Sequence, residues 1–589
     1  MASKPISYDA EASRAPISLS ATPTAAPLAS PRSHDSDGER TTAATVAPDP
    51  ATPAPADSLD SAITLREEDA VESGSVLSSK EGDLEKGGSG GGSVRPTSGG
   101  DGDGEKARYY SKEDGSEVIV VDWKGKDDPL NPKNWSDRRR MGATLIVAAF
   151  TLLAPLSSST IAPAAGQVAE KLQITDETII SMVTSVFVLA FAVGPLIFGP
   201  MSELYGRVRV LQGANVLYLI FNLVCAFAKT KGQFIGFRFM AGLGGGAPLS
   251  IGAGVLSDLW RPEERGKSAA LYSLGPLLGP AMGPVIGGWI AQKLPNDGYR
   301  WIFFSTTIFS AFVQLLGLVY LRETYAPTLL GRQARELKKS LHLPPNSDKV
   351  QTVFEAKAGG KKSPKEVIRR GMVRPFVLIG TEPILQILAL FMALVYGIVY
   401  IQIVSTTEIF MTVYHESTGI AGTNFIAMAL GFFLASQVGA RALDVIYRKL
   451  KERYGGEGKP EYRLPLMFPA CILLPFGLLL YGWSAQHHLP WISTDIGMFF
   501  VSVAMILIFQ GIQLFLIDAF TLHAASAIAA TSSLRSICGF AFPLFSPYLY
   551  SGLGYGWGCT ILAGVAVLIP VIYLYGEKIR MRSRTKKLK

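Results

Sequence analysis

Few ionisable side chains of this chain stand in apolar surroundings, and those few are where chemistry would be done. Glu408 lies in Ser405-Thr406-Thr407-Glu408-Ile409-Phe410, inside a long apolar run. A carboxyl so placed can take up and release a proton; the alternative is a rim residue that simply touches water. Glu382 and Asp518 stand at the start of one apolar run and at the end of another, and Arg238 sits in the small-residue stretch Gly236 to Ala247. An arginine there should face a cavity or a carboxylate, unless it snorkels to the nearer edge. Glu408, Arg238, Glu382 and Asp518 are therefore the candidates for coupling protons to movement.

A second constellation pairs opposite charges. In Gly199-Pro200-Met201-Ser202-Glu203-Leu204-Tyr205-Gly206-Arg207 a carboxylate precedes an arginine by four residues, and Asp444 and Arg448 repeat that spacing further along. One copy is an ordinary helix end; two copies at corresponding places read as a gate-side latch, Glu203 with Arg207 and Asp444 with Arg448. A third feature is the run Gly275 to Gly288. Gly275, Gly279, Gly283 and Gly287 place a flat strip on one helix face, which close helix packing explains. Pro276, Pro280 and Pro284 each remove a backbone donor, and the strip is expected to be a bendable hinge between two halves. Tyr396, Tyr400, Gln402, Phe410, Gln510, Gln513 and Phe515 suit a cavity that holds amphiphilic cargo by apolar contact and a few hydrogen bonds.

Nothing here points to an enzyme. There is no Walker-type phosphate loop, the 6 histidines form no metal-binding set, and Cys225, Cys471, Cys538 and Cys559 stand singly in apolar runs as packing residues. No cofactor and no metal is expected.

The elements that must position these residues follow from composition. Of 589 residues 48% are apolar and 18% charged, with a mean hydropathy of +0.26, although residues 1–106 are rich in Ala, Ser, Pro, Thr and Gly. That arm offers no apolar face to bury and is expected to be a disordered cytosolic segment. Residues 107–140 form a collar in which Val118-Ile119-Val120-Val121 and Trp123 could make a short ordered piece. After Arg140 come twelve apolar blocks, each long enough for a helix of about 20 residues that crosses a bilayer. Six lie in residues 141–321 and six in 375–576, separated by a polar loop at 322–374 and followed by a basic tail at 577–589. The expectation is an all-α membrane protein of two six-helix bundles around a central cavity. Lysine and arginine exceed the acids by 56 − 48 = 8, and they concentrate in the central loop, the tail and the connection after the eighth block. Basic connections stay in the cytosol, so both termini and the central loop are expected there. Beside membrane blocks these runs read as topology signals rather than nucleic-acid contacts.

The motifs also carry a resemblance. Gly275 to Gly288 resembles the antiporter signature of the major facilitator superfamily, Gly199 to Arg209 is similar to its loop signature with glutamate in place of the commoner aspartate, and the Arg238 segment is similar to its fourth-helix signature. With Asn131-Pro132-Lys133-Asn134-Trp135, Glu323-Thr324-Tyr325-Ala326-Pro327, Thr381-Glu382-Pro383 and the region from Ala524 to Ser536 that contains Leu534-Arg535-Ser536, the chain resembles the fungal twelve-span drug:proton antiporters from about Asp127 to Arg580. The resemblance implies the major facilitator fold and outward movement of a small organic compound, driven by protons entering by alternating access. The implied partners are a small-molecule substrate, protons and the lipid bilayer, for a monomer in the plasma membrane. Two rivals stay open: a nutrient symporter or facilitator on the same scaffold, and a non-transporting sensor that signals through its arm or central loop.

Overall fold

The computed structural model describes residues 95–96, 108–111, 117–125, 127–261, 264–345, 347–357, 363–454 and 458–575. The expected disordered arm lies outside them except for Arg95–Pro96, as does the basic tail. Backbone in lipid must satisfy its own N–H and C=O groups, and the apolar blocks accordingly fold as helices. The first six are α1 (Asp137–Thr160), α2 (Glu177–Tyr205), α3 (Arg207–Cys225), α4 (Lys231–Leu259), α5 (Arg265–Lys293) and α6 (Gly298–Tyr320). The second six begin with α7 (Pro383–Thr412), α8 (Phe425–Arg453), α9 (Met467–Gln486) and α10 (Trp491–Ala519). Ala524–Tyr575 is helical on either side of Gly554, whose φ of 74° turns the chain; residues 524–553 are α11 and 555–575 are α12.

Local chemistry fixes several of these ends. Asp176 accepts from the Thr178 N–H at 2.8 Å to start α2, and Thr230 accepts from the Gln233 N–H at 3.3 Å to start α4. Gly206, at φ +99°, closes α2 and turns directly into α3. The helix α4 is interrupted at Gly246, where a segment ending at Gly245 gives way to one starting at Ala247. On α6, Ile308, Phe312, Leu315 and Val319 are exposed at helical spacing and form a lipid-facing stripe. By contrast α7 is buried along most of its length, at the centre of an assembly in which α1 packs on α5, α7 on α11, and α2 on α11 across the two halves.

The central connection is more ordered than a polar loop. It contains helices Ala326–Ser340 and Pro364–Thr381; the first buries Leu330 and Ala334, one turn apart, and ends in Lys338 and Lys339, which favour its C-terminal dipole. Between these helices runs β4 (Val350–Thr352). It completes a sheet with β1 (Arg95–Pro96), β2 (Arg108–Ser111) and β3 (Glu117–Val121) in the order β1-β2-β3-β4. The β-branched run at Val118 to Val121 favours this strand, and β3 pairs in parallel with β4, Ile119 opposite Val350 and Val121 opposite Thr352. The collar is thus fastened to the central connection.

Candidate functional site

Arginine–aspartate ties stand at the end of the bundle that bears the basic connections, here called the basic end. Arg207, first residue of α3, sends Nε to Asp258 Oδ2 at 3.0 Å near the end of α4. Its backbone N–H donates to Glu323 Oε1 at 2.9 Å, which also accepts from the N–H groups of Thr324 and Tyr325 at 3.1 Å. The Tyr325 ring lies 4.8 Å from the Arg207 guanidinium carbon. Burial, with Glu203 and Asp258 close by, pushes the Tyr325 phenol up to about 12 against the opposing effect of Arg207, so the ring stays neutral beneath the cation.

The expected latch is thereby corrected. Glu203 is exposed and pairs with no cation among the described residues, while Arg207 is taken up by Asp258. In the second half Arg463, just before α9, pairs through Nε with Asp518 Oδ2 at 3.0 Å and through Nη1 with Asp444 Oδ1 at 3.3 Å. Its guanidinium carbon lies 4.1 Å from the centre of the Tyr447 ring, while Arg448 is exposed. The duplicated device is therefore an arginine at the entry to the third helix of each half, held by an aspartate at the exit of the fourth. Asp518, expected as a proton carrier, is engaged in this tie.

The glycine strip on α5 faces α1, within the same half. A methyl group at Gly275 would lie 3.0 Å from the Ala148 carbonyl oxygen, one at Gly279 2.9 Å from the Leu156 nitrogen, and one at Gly283 2.7 Å from the Leu156 oxygen. At Gly287 it would collide with the Thr160 carbonyl. So the expected hinge between halves is corrected in its location: the strip seats α5 on α1, and α5 remains one helix through Pro276, Pro280 and Pro284. The seam between halves runs beside it, where Gly288 meets the Thr418 carbonyl and Pro284 meets Gly422.

At the centre, Arg238 is 0% exposed, which removes the snorkelling alternative, and among the described residues it faces no carboxylate. Its Nη1 and Nη2 donate to the carbonyls of Ser157 and Ser158 at 3.2 Å, and Nε to that of Val183 at 3.4 Å. The α1 helix ends at Thr160, so these serine carbonyls belong to the last turn that has no intrahelical donors. Arg238 caps that turn, at the negative end of the helix dipole. The Ser158 hydroxyl meets Tyr400 Oη of α7 at 3.2 Å across the two halves. Tyr396, one turn before Tyr400, has its ring 4.8 Å from that of Tyr400 and 6.0 Å from that of Phe509. Over this group lies Arg535 of α11, its guanidinium carbon 4.8 Å from Tyr396 and 5.6 Å from Phe509.

The other expected cavity residues separate. Gln402 is buried with both amide atoms unpartnered, but it stands about 200° around α7 from Tyr400. Gln510 donates to the Ser436 carbonyl at 3.2 Å and joins α10 to α8. Gln513 lies one turn beyond Phe509 on the same face, half-buried, whereas Phe515, like Phe410, is packed in the interior. Phe509 and Arg535 are not among the expected cavity residues, although a lone arginine in an apolar helix is the same signal that singles out Arg238.

Opposite the basic end, the halves are joined by uncharged contacts. Gln292 Oε1 accepts from the Gly419 N–H at 2.8 Å and from Ser417 Oγ at 3.2 Å, Trp289 Nε1 donates to Thr423 Oγ1 at 3.2 Å, and Thr178 meets Tyr548 at 2.9 Å. Glu408 is exposed at this end, near Glu177 and Tyr555. Glu382 sits at the other end, as the cap between Pro364–Thr381 and α7.

Comparison with known proteins gives this geometry its context. The model of a family described as Major Facilitator Superfamily matches residues 147–543. The chain is 42% identical over 470 residues to a protein named efflux pump vrtL of Penicillium aethiopicum, covering 79% of this chain and 91% of that one. It is 38% identical over 478 residues to one named efflux pump radE of Floropilus chiversii, covering 80% and 87%. Among solved structures, a partially occluded inward-open xylose transporter XylE from E. coli is similar with a TM-score of 0.55 at 16% identity, over 74% of this chain and 99% of that one, a likeness of fold alone.

Proposed function

The chain belongs to the major facilitator superfamily and is an integral, multi-pass membrane protein, and from that premise we propose that it exports a small organic compound in exchange for protons. The observation that carries the reading is the repeated tie at the basic end, Arg207 with Asp258 and Arg463 with Asp518. Each fixes the third helix of a half to its fourth, so that a half can move as one body, while uncharged contacts close the opposite end. Such rigid halves rocking about a central site are what alternating access requires. The relatives named efflux pumps support outward direction. The basic connections support a reading in which both termini and the central loop face the cytosol and the end closed by uncharged contacts faces the cell exterior, in the plasma membrane of a monomeric exporter.

Within this reading, cargo enters the centre from the cytosolic side and leaves when the outer contacts part. Glu408, exposed near the outer end, receives the incoming proton. The cargo class is that of fungal metabolites, toxins and drugs, and it is found by deleting the gene and identifying the compounds that accumulate in cells and vanish from the medium. With that cargo in inside-out vesicles, acidifying the lumen should accelerate uptake, and Glu408→Gln should abolish the acceleration while leaving cargo exchange. Uptake indifferent to the imposed gradient would reject the coupling, and flow in the opposite direction would reject export.

A further inference from the structure

We propose that Arg535 is the charge-recognition residue of the central site and that the cargo is an organic anion, a carboxylate or phenolate on an apolar body. The inference rests on the centre of the bundle being the cargo site and extends that reading to the cargo's chemistry.

The two central arginines differ in what balances their charge. Arg238 faces the carbonyl-bearing end of α1 and donates from all three of its nitrogens, so its surroundings account for it. Arg207 and Arg463 have aspartates. Arg535, half-buried in the middle of α11, has no carboxylate partner among the described residues, and its Nε is buried without an acceptor. Its contacts are the rings of Tyr396 and Phe509. A cation in the membrane interior needs a counter-charge or acceptors, and ring faces supply only part of that.

The geometry also says how an anion would be met. The guanidinium carbon lies over both rings, which accept no ordinary hydrogen bond, and its Nε has no acceptor. A planar fork without a carboxylate partner among the described residues can take two oxygens, the arrangement that binds a carboxylate through two parallel hydrogen bonds. The position is held from behind: a methyl group at Gly539, one turn beyond Arg535, would lie 2.8 Å from the Tyr396 ring, so that ring lies against α11. Gln513, on the Phe509 face, supplies a neutral donor and acceptor nearby, and the rings supply the apolar wall. Tyr400, which meets Ser158 of the other half, lies within electrostatic reach of both Arg535 and Arg238. An anion drawn to Arg535 would therefore sit beside hydrogen bonds that join the halves, Ser158 with Tyr400 and Ser533 with the Ala192 carbonyl.

The test uses three probes of one shape and different charge: 2-naphthoate, 2-naphthamide and 2-naphthylmethylammonium. Binding to the purified full chain in detergent is measured by equilibrium titration and by thermal stabilisation. The naphthoate should bind the wild type more tightly than the amide by roughly ten- to a hundredfold, the span expected for charge-assisted hydrogen bonds, and the ammonium most weakly. Arg535→Gln should erase the preference, and Arg535→Lys should keep part of it, since the charge remains without the fork. An amide or ammonium that binds the wild type as well as the naphthoate, a preference that survives in Arg535→Gln, or no binding by any probe overturns the proposal. Because these are equilibrium measurements, they separate from the transport reading: a charge ranking that persists without proton-dependent flux defeats the coupling alone, and flux without the ranking defeats this inference alone.

Discussion

The two halves tie the same pair of helices with the same two residue types but bury those ties to different depths. In the first half the side chains of Arg207 and Asp258 are 14% and 16% exposed; in the second, those of Arg463 and Asp518 are 17% and 31% exposed. The accessory carboxylates diverge further. Glu323 is buried and holds the backbone of the turn, whereas the Asp444 side chain is 71% exposed and adds only a long contact to its arginine. Water screens the second tie and hardly reaches the first, so equal charges should contribute unequally. The first half is built to be the stiffer body at the basic end.

Asp258→Ala is the substitution that would break this comparison most directly. It strands Arg207 without its carboxylate in a low-dielectric place, and the expected loss is about 3 kcal/mol, read as a large fall in the thermal unfolding midpoint of the detergent-solubilised chain. An unchanged midpoint would mean that the buried tie contributes nothing. Gly206→Ala should follow at about 2 kcal/mol, because φ of +99° disfavours a side chain and the added methyl would strike the Glu323 carboxylate. The same measurement checks it, and a loss confined to the first half would appear as increased proteolysis near residue 206. Asp518→Asn should cost about 1 kcal/mol, and high salt should narrow its difference from the wild type; a loss as large as that of Asp258→Ala would erase the contrast between halves.

The smallest effect is expected at the opposite end. Burial lifts the Glu416 carboxyl above its ordinary value, although the Asn424 side chain donates to it at 2.7 Å. The folded state then favours the protonated form more than the unfolded state does. Its contribution to stability is full below the ordinary carboxylate range and is lost as pH rises through the raised value. Glu416→Gln should therefore match the wild type in acid and be slightly more stable at neutral pH, as unfolding midpoints over a pH series would reveal. A destabilised variant at neutral pH would indicate that this end too is held by charge.

Much of the architecture was legible because its signals are local in the chain. Apolar blocks marked the membrane helices, and the glycine spacing marked a face of close approach. The central connection was less legible: its two helices carry too few apolar residues to stand out, and β4 is a three-residue strand that exists through pairing with β3. The first charge pair was misassigned for a similar reason. Glu203 and Arg207 satisfy a helical spacing of four, but that rule holds only while one helix continues, and Gly206 ends it.

The sequence by itself determined how many times the chain can cross a bilayer, which connections carry the positive charge, and where small residues allow helices to meet. Those properties depend on hydrophobic length and on residue type, which each segment carries with it. Only the tertiary structure decided that Arg207 meets Asp258 across 51 residues and Arg463 meets Asp518 across 55, that the glycine strip seats α5 on α1, and that Arg535 lies on aromatic rings with no acid among the described residues. Partners that far apart in the chain are chosen by which helix faces come together, and the cost of an uncompensated charge in a dry interior then determines which of them matter.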